Sequence, residues 1–191
     1  MSEIQSVVFL KGRKVSLRPM EKTDLPNCAR WINDPEIRDF VSAYWPMTII
    51  DEEKWFENIS KDRPNNLVLA IVAGDNNHIG TMAIHNINWR DRVGTTGALI
   101  GEKEFWGKGF GTEAKILLLH HAFQTMNLHK ICSQVIAYNE RSVAYSKKCG
   151  YQEEGVFKQH TFRHGQYWDV VNLAVFWEDF KPVWEKYQAE S

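Results

Sequence analysis

Apolar and polar positions alternate along Lys14-Val15-Ser16-Leu17-Arg18, as in a half-buried strand, and Pro19 ends the run. The period then lengthens. Leu25, Cys28, Ala29 and Ile32 recur at i, i+3, i+4 and i+7, which predicts a helix capped by Thr23, with Pro26 in its tolerant first turn and Asn33-Asp34-Pro35 at its end. A short second helix is expected over Glu36 to Val41. Trp55, Phe56 and Ile59 predict a third over Asp51 to Ser60, with Thr48 or Asp51 near its start. Leu67 to Ala73 reads as a buried strand, Gly74-Asp75-Asn76-Asn77 as a hairpin turn, and His78 to Ile84 as the partner strand. Asp91-Arg92-Val93-Gly94 turns into a third neighbouring, antiparallel strand over Thr95 to Ile100.

Beyond Ile100 the order becomes helix and strand again. Leu119, Ala122, Phe123 and Met126 share one helical face, Ile131 to Ile136 reads as a strand reached by a parallel crossover, and Asn139 or Glu140 opens a helix that Gly150 closes as a left-handed cap. Val156 to Phe162 and Trp168 to Phe176 form a last hairpin around Arg163-His164-Gly165-Gln166, and Trp177 to Ser191 is a short helical or partly ordered extension. The pattern is mixed α/β (α+β), and its 191 residues suit one domain with a sizeable core.

Composition removes several classes. A net charge of −1, with no Lys/Arg block, argues against a nucleic-acid-binding surface. No apolar run approaches membrane-spanning length, and Met1 to Leu10 lacks the basic-then-apolar order of a signal peptide, so the cytosol is expected. Cys28, Cys132 and Cys149 are widely spaced with no CxxC pair, so neither a disulfide framework nor a metal site is expected. Eight tryptophans are more informative, because Trp31, Trp45, Trp89 and Trp106 fall in or beside predicted loops and helix ends, where an amphipathic ring packs or lines a pocket.

The densest chemical signal is Trp106-Gly107-Lys108-Gly109-Phe110-Gly111-Thr112-Glu113-Ala114, which leads into the apolar stretch Ile116 to Met126. Glycines leave backbone N–H groups uncovered, and a helix start adds free N–H groups and the positive end of a dipole, so the loop suits an anion. A tight strand-to-helix turn with no ligand is the plainer reading of the glycines alone. The spacing excludes two ligand classes. Five residues, not four, separate Gly101 from Gly107-Lys108, and Gly109 stands where a Walker loop needs Ser or Thr. Gly107, Gly109 and Gly111 are spaced G-x-G-x-G, not the dinucleotide G-x-G-x-x-G.

The glycine loop between strand and helix, a second strand, and then Asn139-Glu140-Arg141-Ser142-Val143-Ala144-Tyr145-Ser146-Lys147-Lys148-Cys149-Gly150-Tyr151 together resemble the GNAT superfamily of acetyl-coenzyme A dependent N-acetyltransferases. Glu153-Glu154-Gly155, Arg163-His164-Gly165-Gln166-Tyr167-Trp168-Asp169 and Leu17-Arg18-Pro19 resemble the branch containing ribosomal-protein N-terminal acetyltransferases and spermidine or spermine acetyltransferases. The resemblance implies a GNAT-like acyltransferase fold over residues 1–191, with 177–191 as an extension. Its central, mostly antiparallel twisted sheet is splayed at the cofactor site and flanked by helices. The family's motif Gln/Arg-x-x-Gly-x-Gly/Ala falls on Trp106, Gly109 and Gly111, departing at Trp106, whose N–H can still serve the pyrophosphate. By the same resemblance, acetyl-coenzyme A is the donor and no metal is used. The cofactor-binding set is Leu99, Ile100, Trp106, Gly107, Lys108, Gly109, Phe110, Gly111, Thr112, Asn139, Ser142 and Lys147, and members of the branch often form homodimers.

Amine attack on a thioester needs an oxyanion donor, a base for the ammonium and an acid for the leaving thiolate. The resemblance gives the first role to the Ile100 N–H. Tyr145 suits the last, because a phenol with a pKa of about 10 stays protonated at neutral pH, and Ser142, three residues earlier on the helix, can share its face. Ser142 to Tyr145 is one residue shorter than the family's loose spacing. Asn139 is a helix cap, an amide partner for the pantetheine chain, or both. Base and acceptor candidates are His85, Glu36, Asp39 and Glu104, and the resemblance places the acceptor beside Glu36 and Asp39. Two functional classes follow: an enzyme acetylating a primary amine (a protein N-terminus, a polyamine or another small amine), and a non-catalytic coenzyme A sensor, which needs no phenol at the thioester. Asp51-Glu52-Glu53 leans to a polycation, and equally suits a first helical turn.

Overall fold

A computed structural model describes residues 7–41, 43–62 and 64–190. The first six residues of Met1 to Leu10, Ser42, Arg63 and the terminal Ser191 lie outside the described residues. Along the chain run β1 (Leu10–Lys11), β2 (Val15–Pro19), α1 (Leu25–Asn33), α2 (Pro35–Arg38), α3 (Ile49–Lys61), β3 (Leu67–Ala73), β4 (Asn77–Asn88) and β5 (Val93–Ile100). Then follow α4 (Phe110–Gln124), β6 (Lys130–Ile136), α5 (Glu140–Lys148), β7 (Gln152–Arg163), β8 (Gln166–Phe176) and α6 (Trp177–Ala189). The strands are hydrogen-bonded in the order β1-β2-β3-β4-β5-β6-β8-β7. The β1–β2, β2–β3, β6–β8 and β7–β8 ladders are antiparallel, and β5–β6 is parallel. The parallel ladder pairs only Val93–Thr95 with Lys130–Cys132.

Residue contacts divide the chain into two compact units, Met1–Ala83 with Ala98–Leu118, and Ile84–Gly97 with Leu119–Ser191. In the first, Leu17, Ala70, Ile71, Ile79, Met82 and Leu118 are fully enclosed, and Trp31 is buried on α1. A cluster of polar side chains shares that interior. Arg18 donates two hydrogen bonds of 2.7 Å to the Asp24 carboxylate, His78 Nδ1 lies 3.3 Å from Asp24 Oδ1, and the Glu21 N–H reaches Asp24 Oδ2 at 2.8 Å. The last bond identifies the true start of the first helical segment. Glu21 caps a short 3-10 turn over Lys22–Asp24 that leads into α1, so Thr23 is not the cap, and its hydroxyl only approaches Glu21 at 3.4 Å on the surface.

The second unit packs α6 by aromatic contact. Phe180 is fully buried with its ring 5.8 Å from Phe123, and Trp184 stacks on His120 at 3.8 Å. The C-terminal segment is therefore a docked helix over Trp177–Ala189 rather than a partly ordered tail. The hairpin strands are also longer than the apolar pattern predicted, β4 reaching Asn88 and β7 beginning at Gln152, because polar positions continue a ladder as well as apolar ones. Cys28 and Cys149 are buried free thiols, and burial, then the nearby Glu52 and Asp24, pushes the Cys28 thiol up to about 12.

Asp24 titrates within the polar cluster of that interior. Burial raises its pKa, but the Arg18 hydrogen bonds, the Glu21 N–H and the charges of His78 and Arg18 outweigh that and hold it below the usual carboxylate range. A depressed folded pKa gives stability that is present above the unfolded value and lost as pH falls through the folded one. Asp24→Asn should cost about 3–5 kcal/mol in urea denaturation at pH 7, since it leaves a buried guanidinium without its anion. The wild-type minus variant difference should shrink as pH falls below about 4.

Candidate active site

The glycine loop follows directly from the exit of β5. Gly101 lies so close to Trp31 that an added Cβ would overlap the indole ring, and its N–H donates to the Ile79 carbonyl at 2.8 Å. Only glycine permits that approach. Trp31 in turn donates its indole N–H to Glu102 at 3.2 Å, and Arg30 also pairs with Glu102. A 3-10 turn over Lys103–Phe105 delivers the chain to Trp106.

Gly107 and Gly109 adopt left-handed φ values of 71° and 86°. A side chain would strain either. Space around Gly107 is open, and Gly111 lies against the Ile100 side chain, where an added Cβ would sit 3.5 Å from Cγ1. The first helical bond runs from the Glu113 N–H to the Gly109 carbonyl at 3.0 Å, so Phe110 and Gly111 have no acceptor within α4. Left-handed glycines, an uncovered loop and a fresh helix start together fit a phosphate group. Trp106 plays a different part from the one expected of it. Its backbone N–H donates to Lys103 O at 3.0 Å and its indole N–H to Ile100 O at 2.7 Å, so the residue fastens the loop to the end of β5 instead of offering an N–H to an anion. Leu99 and Ile100 are half-buried at that strand end.

These residues, with Lys108 and Thr112, all belong to the first unit, as do Glu36 and Asp39. Glu36 is exposed, and Lys103 bridges it at 3.1 Å and Asp34 at 2.8 Å. Asp39 is half-buried at the end of α2, and Glu104 is exposed. The acidic run at the start of α3 splits three ways. Asp51 caps the helix reciprocally with Thr48, Glu53 is exposed, and Glu52 is buried with its carboxyl pushed up by burial and then by Asp51.

The second unit carries the remaining candidates. The Asn139 side chain accepts from the Ser142 N–H at 3.1 Å, so its cap role is met, and Gly150 closes α5 at φ 91°. Ser142 is half-buried, and Lys147 lies 3.9 Å from Glu153 on the surface. The Tyr145 hydroxyl is enclosed, and burial, then Cys149 and Tyr151, pushes its phenol well above the usual tyrosine range. Beside it, Tyr151 shares a 2.8 Å hydrogen bond with Thr96 on β5. His85 on β4 lies beside Gly97, and burial lowers its pKa, so its imidazole is neutral at pH 7. Trp45 and Trp89 are exposed. Among the described residues no group of three or more His, Cys, Asp and Glu side chains is arranged to hold a metal ion, and no helix is long and apolar enough to cross a membrane.

Comparison with known proteins gives this arrangement its class. The family described as acetyltransferase (GNAT) domain matches residues 14–152, and the chain belongs to that family. It is an N-acetyltransferase that moves an acetyl group from acetyl-coenzyme A to an amine. Among individual relatives, it is 29% identical over 167 residues to the spermidine N(1)-acetyltransferase of Vibrio cholerae, covering 85% of this chain and 92% of that protein. A putative ribosomal N-acetyltransferase of Bacillus subtilis is 30% identical over 58% of each chain. The fold superposes on the Vibrio cholerae spermidine N-acetyltransferase in complex with CoA and spermine with a TM-score of 0.82, at 24% identity over 88% of this chain and 98% of the other. A putative acetyltransferase from T. thermophilus gives 0.78 at 28% identity over 95% of each.

Trp31, expected to pack or line a pocket, packs against the Gly101 backbone, a segment distant in sequence. Glu113, which the residue pattern gave no role of its own, binds the Arg13, Lys14 and Val15 N–H groups. Trp106→Phe should lower stability by about 1 kcal/mol, the worth of its hydrogen bond to Ile100 O. Urea denaturation measures this, and an unchanged midpoint would mean that the bond carries no net weight.

Proposed function

We propose that the loop from Trp106 to Thr112 holds the pyrophosphate of acetyl-coenzyme A and that the acceptor is a small amine of the polyamine class. The glycine loop carries the first half of this reading, with two left-handed glycines feeding a helix whose first N–H groups have no acceptor within it. The Leu99 and Ile100 backbone lines the pantetheine arm, and the Ile100 N–H receives the charge that develops on the thioester oxygen. In this reading Asn139, beyond capping α5, is assigned to the same arm through its amide, and Lys147 to the phosphates. The hydroxyl-bearing face of α5 supplies the acid: Tyr145 protonates the leaving thiolate, and burial keeps its phenol protonated throughout the physiological range. His85, neutral at pH 7, takes the proton of the incoming ammonium. The whole chain works as one acetyltransferase domain.

Purified protein with acetyl-coenzyme A and a panel of polyamines, other small amines and N-terminal peptides should release free thiol, fastest with a polyamine. Tyr145→Phe should lower kcat by about tenfold or more with little change in acetyl-coenzyme A affinity. An unchanged kcat with lowered stability would make the phenol a packing group and transfer the acid role to Ser142, tested by Ser142→Ala.

The names of the spermidine acetyltransferase relatives support a cationic acceptor. Glu36 and Asp39 receive it in this reading. Because the Lys103 ammonium already lies against Glu36 and Asp34, a substrate ammonium competes with it. Lys103→Met should therefore lower the polyamine KM by about threefold to tenfold with little change in kcat, as expected when one exposed ion pair is removed. A polyamine KM that survives Glu36→Gln together with Asp39→Asn would exclude these carboxylates from the acceptor site.

A further inference from the structure

The β1–β2 hairpin brings a lysine to the glycine loop from about one hundred residues away in sequence. Its turn, Gly12 to Lys14, lies against the first turns of α4. An added Cβ on Gly12 would fall 2.8 Å from Val15 O, 2.9 Å from Leu117 Cδ1 and 3.0 Å from Glu113 Oε1, so only glycine lets the turn approach so closely. The buried Glu113 carboxylate then binds the turn by its backbone: Oε1 accepts from the Arg13 N–H at 2.8 Å, and Oε2 from the Lys14 and Val15 N–H groups at 2.8 and 3.2 Å. Three N–H groups on one carboxylate fix the direction in which residue 14 leaves the hairpin.

That direction leads to the loop. Lys14 Nζ donates to Lys108 O at 3.2 Å and lies 3.7 Å from where a Cβ on Gly109 would be. An ammonium has three donors, and this bond uses one. No carboxylate lies within ion-pair distance of Lys14 among the described residues, whereas Lys103, Lys130 and Lys158 each engage an acid at 2.7 to 3.1 Å. A clamped, exposed ammonium beside a left-handed glycine turn is a cation in reserve. Both N–H groups of Trp106 are meanwhile committed inside the protein.

We infer that Lys14 is a phosphate-binding residue of the donor site, reaching the coenzyme A pyrophosphate from the β1–β2 hairpin, with Glu113 as the residue that positions it. The inference rests on the reading of the glycine loop as the coenzyme A cradle. It also explains how a carboxylate can stand in the first turn of an anion-binding helix, since three N–H groups and the neighbouring ammonium offset its repulsion of the ligand.

Calorimetric titration of the full chain with coenzyme A tests this. Lys14→Met should weaken binding by about tenfold, the range of one charge-assisted hydrogen bond at a partly exposed site, with an unchanged melting temperature. Lys14→Arg should stay within about threefold of wild type, because it keeps the charge and the donors. Lys11→Met, which removes the same charge from the same hairpin, should bind within about twofold of wild type if the contact is local rather than a net-charge effect. The Lys14→Met loss should persist with dephospho-coenzyme A, which keeps the pyrophosphate but lacks the 3′-phosphate, and should vanish in the KM for S-acetylpantetheine, which has no phosphate. Wild-type affinity in Lys14→Met, an equal loss in Lys11→Met, or disappearance of the effect with dephospho-coenzyme A would each overturn the assignment to the pyrophosphate. Failure of wild type to bind coenzyme A would instead overturn the cradle reading itself.

Discussion

The exit of β5 depends on the contact between the Gly101 backbone and the Trp31 indole. With no room for a Cβ against the ring, the chain can leave the strand there only as glycine, and it leaves in a direction fixed by hydrogen bonds on both sides. Ile79 O holds the Gly101 N–H, and the Trp31 indole N–H reaches Glu102. Trp31 is itself held by burial and by the His78 ring 4.7 Å away, and His78 stands against the Arg18–Asp24 pair. The orientation of the glycine loop is thus determined by side chains from β2, α1 and β4, none of which belongs to the loop. A core normally tolerates exchange of similar apolar groups, but a ring against a bare backbone has no substitute of similar volume.

Much of the fold was legible in the sequence because period and punctuation agreed. Leu67–Ala73 appears with the bounds its apolar run gave, and Gly150 closes α5 in the left-handed conformation that glycine favours. Errors fall where local chemistry offered two equivalent partners. Thr23 and Glu21 can both start a helix, and the choice went to Glu21 because Asp24, committed to Arg18, also accepts the Glu21 N–H. The two-residue strand Leu10–Lys11 carries no period at all. Its pairing comes from the turn that Glu113 binds, a long-range effect with no local signature.

The candidate site was legible to the extent that backbone conformation dictates residue type. Gly107 and Gly109 had to be glycine for their φ, and that requirement is written in the sequence. Side-chain roles were not. Trp106 looked like a ligand contact placed at the head of the motif, yet its two donors turn inward to Lys103 O and Ile100 O. Glu36 looked like an open carboxylate, and Lys103 already engages it. Both outcomes follow from one rule, that a donor or charge near an opposite group within its own chain engages it before any ligand arrives.

Glu113 links the glycine loop to the β1–β2 hairpin. A carboxylate in the first turn of α4 favours the helix through its dipole, and by the same field it disfavours an anion at that end. Left exposed, it would work against a phosphate cradle. Here it is buried, accepts three backbone N–H groups from the hairpin and brings Lys14 to the loop, so the negative charge is engaged within the protein and a positive one is presented in its place. Gly12 makes this exchange possible, because a side chain there would push the turn off the carboxylate. The short β1–β2 hairpin is therefore tied to the glycine loop: at an acidic helix start it sets an ammonium beside Gly109.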